Sequence, residues 1–253
     1  MGELSGKVVI VTGGGQGIGF AIVKKFAENG ATVIATGRTL SKVEKTAELL
    51  KEYDVVPYRM DCGVEQDWIE LTSMIKEKYG ALDVLVNNAG IELGKDIKSM
   101  SFDEFRKIEA CNVDSVFLGM KYCYELLKGR KDSNIVNISS VASRQSGPSC
   151  GNDAGYSASK AAVTLLTKHA AYTFAPDRIR VNAVLPGGVR TPLVDESLKG
   201  VEGVAEFLAS LNPLPPHLAQ PEELAEVVYF VASSKNSFMT GSEVVSDGGM
   251  LTH

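Results

Sequence analysis

A tyrosine and a lysine four residues apart, Tyr156 and Lys160, carry the first chemical signal in this sequence. They open an apolar run over residues 161–166 that is typical of a helix, where positions i and i+4 lie on one face. A free tyrosine has a pKa of about 10, and a nearby cation favours the phenolate and lowers that value. The pair therefore predicts a general acid/base. The same spacing is also typical of a helix face that touches only water.

A run of glycines, Gly13-Gly14-Gly15-Gln16-Gly17-Ile18-Gly19, carries the second signal. It follows a short β-branched segment and precedes a helical pattern. A turn between a first strand and a first helix places backbone N–H groups and a helix N-terminus against a phosphate. The spacing differs from the GxGxxG of many dinucleotide-binding proteins, and a flexible turn is the plain alternative. The position in the chain favours a phosphate-binding loop.

Strands and helices alternate along the chain around these two signals. The predicted strands are 7–12, 31–36, 55–60, 82–86, 134–138, 179–184 and 243–245. The predicted helices are 20–27, 41–53, 65–79, 101–127, the segment after Tyr156, and 221–232. This alternation predicts βαβ units and an α/β fold, a Rossmann-type doubly wound parallel sheet of about seven strands between two helix layers.

The segment 191–220 breaks the alternation and is rich in proline. Long irregular segments inside compact domains are commonly functional, so it is interpreted as a substrate-binding lid. The chain has no Pro/Ser-rich linker and no internal repeat. We therefore expect residues 1–253 to form one domain that binds a dinucleotide and carries the catalytic groups, with the lid inside it.

Composition narrows the class of protein. The 253 residues are 44% hydrophobic and have a net charge of −5 without a basic block, which disfavours nucleic acid as a partner. No apolar run reaches the ~20 residues of a membrane span and the N-terminus lacks signal-peptide features, so a cytoplasmic protein is expected. The four cysteines form no CxxC pair and the three histidines have no metal-ligand spacing, so no metal site is expected.

Four motifs together resemble the signature of the short-chain dehydrogenase/reductase family. They are the glycine loop Thr12–Gly19, Asn87-Asn88-Ala89-Gly90, Tyr156-x-x-x-Lys160 and Pro186-Gly187. The motifs occur in the family's order, and the match runs from about Gly6 to Gly249, nearly the whole chain. The resemblance implies a Rossmann-type fold, a nicotinamide dinucleotide, hydride transfer at a carbonyl or alcohol carbon, and a homotetramer.

The resemblance also implies catalytic roles. Tyr156 is similar to the family's general acid/base, and Lys160 to the residue that lowers its pKa and binds the ribose. Ser140 resembles the serine that hydrogen-bonds the substrate oxygen, although the adjacent Ser139 leaves an ambiguity. Asn112 resembles the helix asparagine that supports a proton relay through water. The turn-rich stretch 147–155 lengthens the family's spacing between serine and tyrosine and is expected to bulge beside the site.

A larger set of positions resembles the family's cofactor contacts. These are Gly13, Gln16, Gly17, Ile18, Gly19, Arg38, Asp61, Cys62, Asn88, Ala89, Gly90, Tyr156, Lys160, Pro186, Gly187, Val189 and Thr191. Two of them have structural alternatives. Asp61 could cap the following helix, and Asn88 could tie neighbouring strands together.

The end of the second strand indicates which dinucleotide is bound. NAD-binding folds place an acidic residue there for the ribose hydroxyls, whereas an arginine accommodates the 2′-phosphate of NADP. Here Gly37 occupies the acidic position and Arg38 follows, which favours NADP(H). Gln16 weakens the case for NADP(H), because many NADP-preferring relatives carry Lys or Arg at that position. NAD(H), with Arg38 stacked on adenine, is the alternative.

The predicted function is hydride transfer between NADP(H) and a secondary alcohol or ketone, a small-molecule substrate. A non-catalytic dinucleotide-binding sensor is a second hypothesis, although such proteins usually lose the tyrosine or the lysine, and this chain has both. A reductase of acyl-carrier-linked substrates is a third, for which we find no cluster of basic residues. Apolar residues in the lid segment are compatible with a hydrophobic substrate and equally with a helix packed on its own domain.

Overall fold

The computed structural model describes residues 2–146, 152–191, 194 and 203–252. Its strands are β1 Val8–Thr12, β2 Thr32–Gly37, β3 Val55–Arg59, β4 Val84–Asn87, β5 Asn134–Ile138, β6 Arg180–Pro186 and β7 Glu243–Ser246. Its α-helices are α1 Gly17–Glu28, α2 Leu40–Leu49, α3 Glu65–Tyr79, α4 Phe102–Glu109, α5 Ser115–Leu127, α6 Ala154–Phe174, α7 Val204–Leu211 and α8 Pro221–Ala232.

The strands of the described residues form one parallel sheet in the order β3-β2-β1-β4-β5-β6-β7. The strand order reverses direction between β1 and β4, where the chain crosses from one half of the sheet to the other. In open α/β sheets ligands bind outside the carboxyl ends of the strands at such a switch point. The expected Rossmann-type doubly wound sheet is confirmed.

Two apolar cores cover the two faces of the sheet. Strand β1 shows the reason, because Val9 and Val11 enter one core while Val8 and Ile10 enter the other. Successive side chains of a strand point to opposite faces, so a continuous apolar strand requires helices on both sides. The first core includes side chains of α1 and α8, and the second includes side chains of α3, α5 and α6.

The helix predicted over residues 101–127 forms as α4 and α5 joined by a π-helical segment, Ala110–Asp114. A π segment inserts a residue into the helical ladder, and such insertions are frequent at functional sites. Asn112 lies in this segment and is fully buried. The periodicity of the sequence did not reveal the interruption.

The expected lid is only partly described, because residues 192, 193 and 195–202 lie outside the described part of the chain. Its remaining residues are not irregular throughout, since they include helix α7. Of the turn-rich stretch 147–155, residues 147–151 also lie outside the described part. No helix of the described residues has the length and apolar character needed to cross a membrane.

Candidate active site

Two adjoining clefts open at the carboxyl ends of the strands. The first, here called the loop cleft, has a volume of about 310 Å³ and is lined by the glycine loop, the end of β2 and the segment after β4. The second, here called the tyrosine cleft, has a volume of about 620 Å³ and reaches from Arg38 to Tyr156 and helix α7. Both clefts are lined by Gln16, Arg38 and Thr191, among others, so they form a continuous path.

The glycine loop is built to approach a ligand closely. Gly13 and Gly17 have φ values of 68° and 53°, a region that side-chain-bearing residues rarely adopt. Helix α1 begins at Gly17 without a side-chain cap and without an acidic residue in its first turn. Its first backbone N–H groups are therefore left for a ligand, and the helix dipole favours an anion there. These features fit the diphosphate of a dinucleotide.

Thr12 and Asn88 hold the switch point together. The Thr12 Oγ1 accepts hydrogen bonds from the backbone N–H of Asn88 at 2.9 Å and of Ala89 at 3.0 Å. The Asn88 amide donates to the Thr12 carbonyl at 2.8 Å. Asn88 thus ties β1 to β4, as its structural alternative supposed, and it also lines both clefts.

Tyr156 lies in the first turn of α6, half-buried in the wall of the tyrosine cleft. Burial raises the pKa of Tyr156 to about 12, the Glu92 carboxylate adds to the rise, the Ser140 hydroxyl opposes it, and Asp153 adds a little more. At neutral pH Tyr156 is therefore a protonated phenol.

Lys160 is 4% exposed and lies one turn further along α6. Its Nζ donates to the Ile138 carbonyl at 2.8 Å and lies 5.5 Å from the centre of the Tyr156 ring. Burial lowers the pKa of Lys160 to about 8, which the Cys111 thiol and Glu92 partly oppose.

The expected lowering of the Tyr156 pKa by Lys160 is not found. The ammonium lies over the ring face and is hydrogen-bonded to the Ile138 carbonyl. Desolvation and the nearby carboxylates dominate the phenol instead.

The two serines after β5 have different surroundings. The Ser139 hydroxyl is 2.9 Å from the Lys160 carbonyl and 2.7 Å from the Thr164 Oγ1, so helix α6 occupies it. The Ser140 Oγ accepts from the Ala142 N–H at 3.1 Å, and this contact does not use its proton. The Ser140 hydroxyl also acts on the Tyr156 phenol. This geometry supports Ser140 as the group that meets a substrate oxygen.

Asn112 lies behind Lys160, away from the cleft surface. Its Oδ1 accepts from the Ile91 N–H at 2.8 Å, and its Nδ2 donates to the Ile91 carbonyl and the Ser159 Oγ, both at 2.9 Å. A Cβ added to Gly90 would lie 3.3 Å from the Asn112 Oδ1 and 3.4 Å from the Lys160 Nζ. The π segment thus brings Asn112, and α6 brings Lys160, close to Gly90.

Most positions expected to contact the cofactor line one or both clefts. Those at the cleft walls are Gly13, Gln16, Gly17, Ile18, Arg38, Cys62, Asn88, Ala89, Gly90, Tyr156, Lys160, Pro186, Gly187, Val189 and Thr191. Gly19 lies beneath the loop, where an added Cβ would be 2.0 Å from the Gly13 carbonyl oxygen. Asp61 accepts from the Gly63 N–H at 3.0 Å, and the N-cap of α3 is Val64, so the capping alternative for Asp61 is wrong.

Four residues that the sequence reasoning missed also belong to the site. Lys42, in the first turn of α2, lines the loop cleft, and Glu92 lines the tyrosine cleft. Asp153 caps α6, a role that its place before a helical pattern could have indicated. Asn212 lines the tyrosine cleft at 2% exposure, and its Nδ2 has no hydrogen-bond partner among the described residues. No sequence pattern pointed to Lys42, Glu92 or Asn212.

The chain is similar to known proteins over nearly its whole length. A family model described as enoyl-(acyl carrier protein) reductase matches residues 13–251. The NADP-dependent (R)-specific alcohol dehydrogenase of Lentilactobacillus kefiri is 38% identical over 252 residues, which cover 98% of this chain and 97% of that protein. The 3alpha-hydroxysteroid dehydrogenase of Mediterraneibacter gnavus is 40% identical over 249 residues, 97% of each chain.

A solved structure shares the fold. A crystal structure from Burkholderia xenovorans, attributed to the short-chain dehydrogenases/reductases, superposes with a TM-score of 0.93 at 31% identity. The match covers 100% of this chain and 99% of that one.

Proposed function

The chain belongs to the short-chain dehydrogenase/reductase family, and on that premise we propose that it transfers a hydride between NADP(H) and a secondary alcohol or ketone with Tyr156 as general acid/base. Its class is that of the NAD(P)-dependent oxidoreductases acting on CH–OH groups. The observation that carries the proposal is the convergence of Tyr156, Ser140 and Lys160 on one cleft that continues to the glycine loop.

Residues of the chain transfer the proton and bind the substrate oxygen. Ser140 donates a hydrogen bond to that oxygen and orients it, while the Tyr156 phenol gives up its proton during ketone reduction or receives one during alcohol oxidation. Lys160, which is buried in the wall of the tyrosine cleft with its Nζ 5.5 Å from the centre of the Tyr156 ring, binds the ribose of the cofactor. Bound nicotinamide supplies the hydride donor or acceptor.

The preference for NADP(H) rests on the end of β2. Gly37 places no carboxylate there, and the exposed Arg38 lines both clefts. Among the described residues that line the loop cleft there is no aspartate or glutamate. The positive charge of Arg38 attracts a phosphate at this site, and no carboxylate of the cleft lining repels it. The Lentilactobacillus kefiri relative is named as NADP-dependent, in agreement with this assignment.

The substrate is a secondary alcohol or ketone with an apolar body. Six apolar side chains form part of the wall of the tyrosine cleft: Val141, Val194, Leu208, Leu211, Leu218 and Met250. Asn212 and Glu92 add isolated polar groups to this wall. Relatives at 36–40% identity are named for a hydroxysteroid and for cyclopentanol, which are apolar ring alcohols.

The assembly is a homotetramer. Leu165 and Tyr172 on α6 are 68% and 86% exposed, and Phe230 on α8 is 52% exposed. Large apolar side chains exposed on helix faces mark association surfaces. Strand β7 pairs with β6 alone among the described strands, and association can cover such an edge.

Tyr156→Phe tests the catalytic proposal, because it removes only the hydroxyl. We expect kcat for ketone reduction to fall by at least about 10²-fold while the dissociation constant of NADPH stays within about twofold. A wild-type protein that binds NADPH but reduces no ketone and oxidises no alcohol in a broad screen would be a sensor instead. A Tyr156→Phe variant with wild-type turnover would remove Tyr156 from the mechanism.

A further inference from the structure

We infer that Lys42 is a second cation for the 2′-phosphate of NADP(H), held in place by Gln16 and acting with Arg38. The inference rests on the proposed preference for NADP(H) and assigns a residue to it. The glycine loop itself carries a neutral glutamine at position 16, where it could have carried a cation. Helix α2 brings the missing positive charge to the same place.

The contact between Lys42 and Gln16 defines the geometry. The Lys42 Nζ donates to the Gln16 Oε1 at 2.7 Å, and both residues line the loop cleft together with Arg38. A glutamine oxygen orients an ammonium without cancelling its charge, whereas a carboxylate would neutralise it. No carboxylate of the described residues forms an ion pair with Lys42. Its charge is therefore available to a ligand.

Helix α2 is anchored to the glycine loop through Thr46, one turn beyond Lys42, so Lys42 has a fixed base. The buried Thr46 Oγ1 donates to the Gly14 carbonyl at 3.1 Å and to the Lys42 carbonyl at 3.2 Å. A Cβ added to Gly15 would lie 3.0 Å from the Lys42 Cβ. These contacts fix the base of the Lys42 side chain beside the glycine loop.

Lys42 and Arg38 both line the loop cleft and have complementary properties. Arg38 follows β2 and lines both clefts, whereas Lys42 lines only the loop cleft. A planar guanidinium suits a bidentate contact with phosphate, and a lysine adds a point charge. Two cations of different shape can bracket one dianionic group. The 2′-phosphate is the group by which NADP differs from NAD.

The decisive experiment compares ligands that differ only by the 2′-phosphate. Binding of NADP, NAD, adenosine 2′,5′-bisphosphate and AMP is measured for wild type and Lys42→Ala by titration calorimetry. We expect Lys42→Ala to weaken NADP and adenosine 2′,5′-bisphosphate by about five- to tenfold, a change of 1.0–1.4 kcal/mol at ~1.4 kcal/mol per decade. NAD and AMP should bind as before. An unchanged NADP-to-NAD affinity ratio would overturn the inference.

Lys45→Ala is the matched control. Lys45 is exposed on the same helix, three residues further along, and does not line either cleft. We expect its NADP-to-NAD ratio to equal that of wild type at every ionic strength. If Lys45→Ala lowers the ratio as much as Lys42→Ala does, the effect is a general loss of surface charge and the inference fails.

A rescue experiment tests the role of Gln16. Adding Gln16→Lys to Lys42→Ala returns a cation to the same place from the loop side, so the NADP-to-NAD ratio should recover. A double variant as weak as Lys42→Ala contradicts the placement of the phosphate beside Gln16. The NADP-to-NAD affinity ratio of the wild type tests the proposed preference for NADP. The change in that ratio on Lys42→Ala tests the role of Lys42. The two can therefore fail separately.

Discussion

The adjacent residues Ser139 and Ser140 both line the tyrosine cleft. Their different hydrogen-bond partners predict different roles. Ser140→Ala should lower kcat by about 10²–10³-fold, the usual cost of removing one donor from a developing oxyanion. Ser139→Ala should lower kcat much less but destabilise the fold by about 0.5–1.5 kcal/mol, because it removes the hydrogen bonds to α6, whose Thr164 hydroxyl still donates to the Lys160 carbonyl. Steady-state kinetics and thermal unfolding of both variants test this. The reverse order of kcat values would assign the substrate contact to Ser139.

We expect Glu92 to influence the pH dependence of the reaction, with burial as the larger cause of the raised Tyr156 pKa. Its carboxylate is the largest charge contribution that raises the pKa of Tyr156, and it opposes the lowering of the Lys160 pKa. Alcohol oxidation needs the phenolate, so its rate should rise with pH toward the pKa of Tyr156. In Glu92→Gln the pKa of Tyr156 falls, and the rising limb of kcat/KM for oxidation should move to lower pH.

The control for this profile is Glu77→Gln, an exposed carboxylate on α3. Its pH profile should match that of wild type. A Glu92→Gln profile that moves to higher pH, or stays in place, would contradict the role of Glu92. Ketone reduction needs the protonated phenol, so Glu92→Gln should shift its falling limb to lower pH as well.

Asp153 connects the catalytic helix to the segment after β4. Its Oδ1 accepts from the Tyr156 N–H at 2.8 Å, and its Oδ2 accepts from the N–H groups of Leu93 at 2.6 Å and Gly94 at 2.8 Å. Asp153→Ala removes the cap and these tethers, at a cost of about 1–3 kcal/mol in unfolding free energy. Because Tyr156 follows in the first turn, kcat should fall about tenfold or more.

Ser101→Ala is the matched cap variant for this prediction. Ser101 caps α4 through a capping box with Glu104, outside both cleft walls. It should lower the melting temperature by a few degrees and leave kcat within about twofold of wild type. If both cap variants reduce kcat equally, Asp153 acts through global stability and not through the position of Tyr156.

At the scale of the whole molecule, the exposed apolar faces predict association. Light scattering at micromolar concentration should give four times the 27.1 kDa mass of the chain. Replacing Leu165 and Tyr172 on α6 by lysine should reduce the particle mass, because it puts charges on the exposed apolar surface that we propose for association. The matched control replaces Leu49 on α2, 60% exposed, by lysine. A monomeric wild-type protein would contradict the proposal.

The sequence alone determined the fold class and the order of its elements. Continuous apolar strands require helices on both faces of the sheet. Helix-length segments between strands indicate crossover connections between parallel strands. The alternation of strands and helices is therefore compatible with few topologies. Helix α3, strand β5 and helix α8 begin and end where the periodicity predicted. Tyr156 and Lys160 were predictable for a similar reason, because local helical spacing decides that they share a face.

Only the tertiary structure decided the burial, the pKa values and the long-range contacts of the site residues. The pKa of Tyr156 rises mainly because folding buries it and places the carboxylate of Glu92, 64 positions earlier in the chain, close to it. The π segment at Asn112 follows from packing, since its hydrogen bonds join residues 21 and 47 positions apart. Lys42 meets Gln16 across 26 residues because α2 packs on the glycine loop. Spacing along a chain describes neighbours on one element, whereas charge and burial depend on distances between elements that only folding sets.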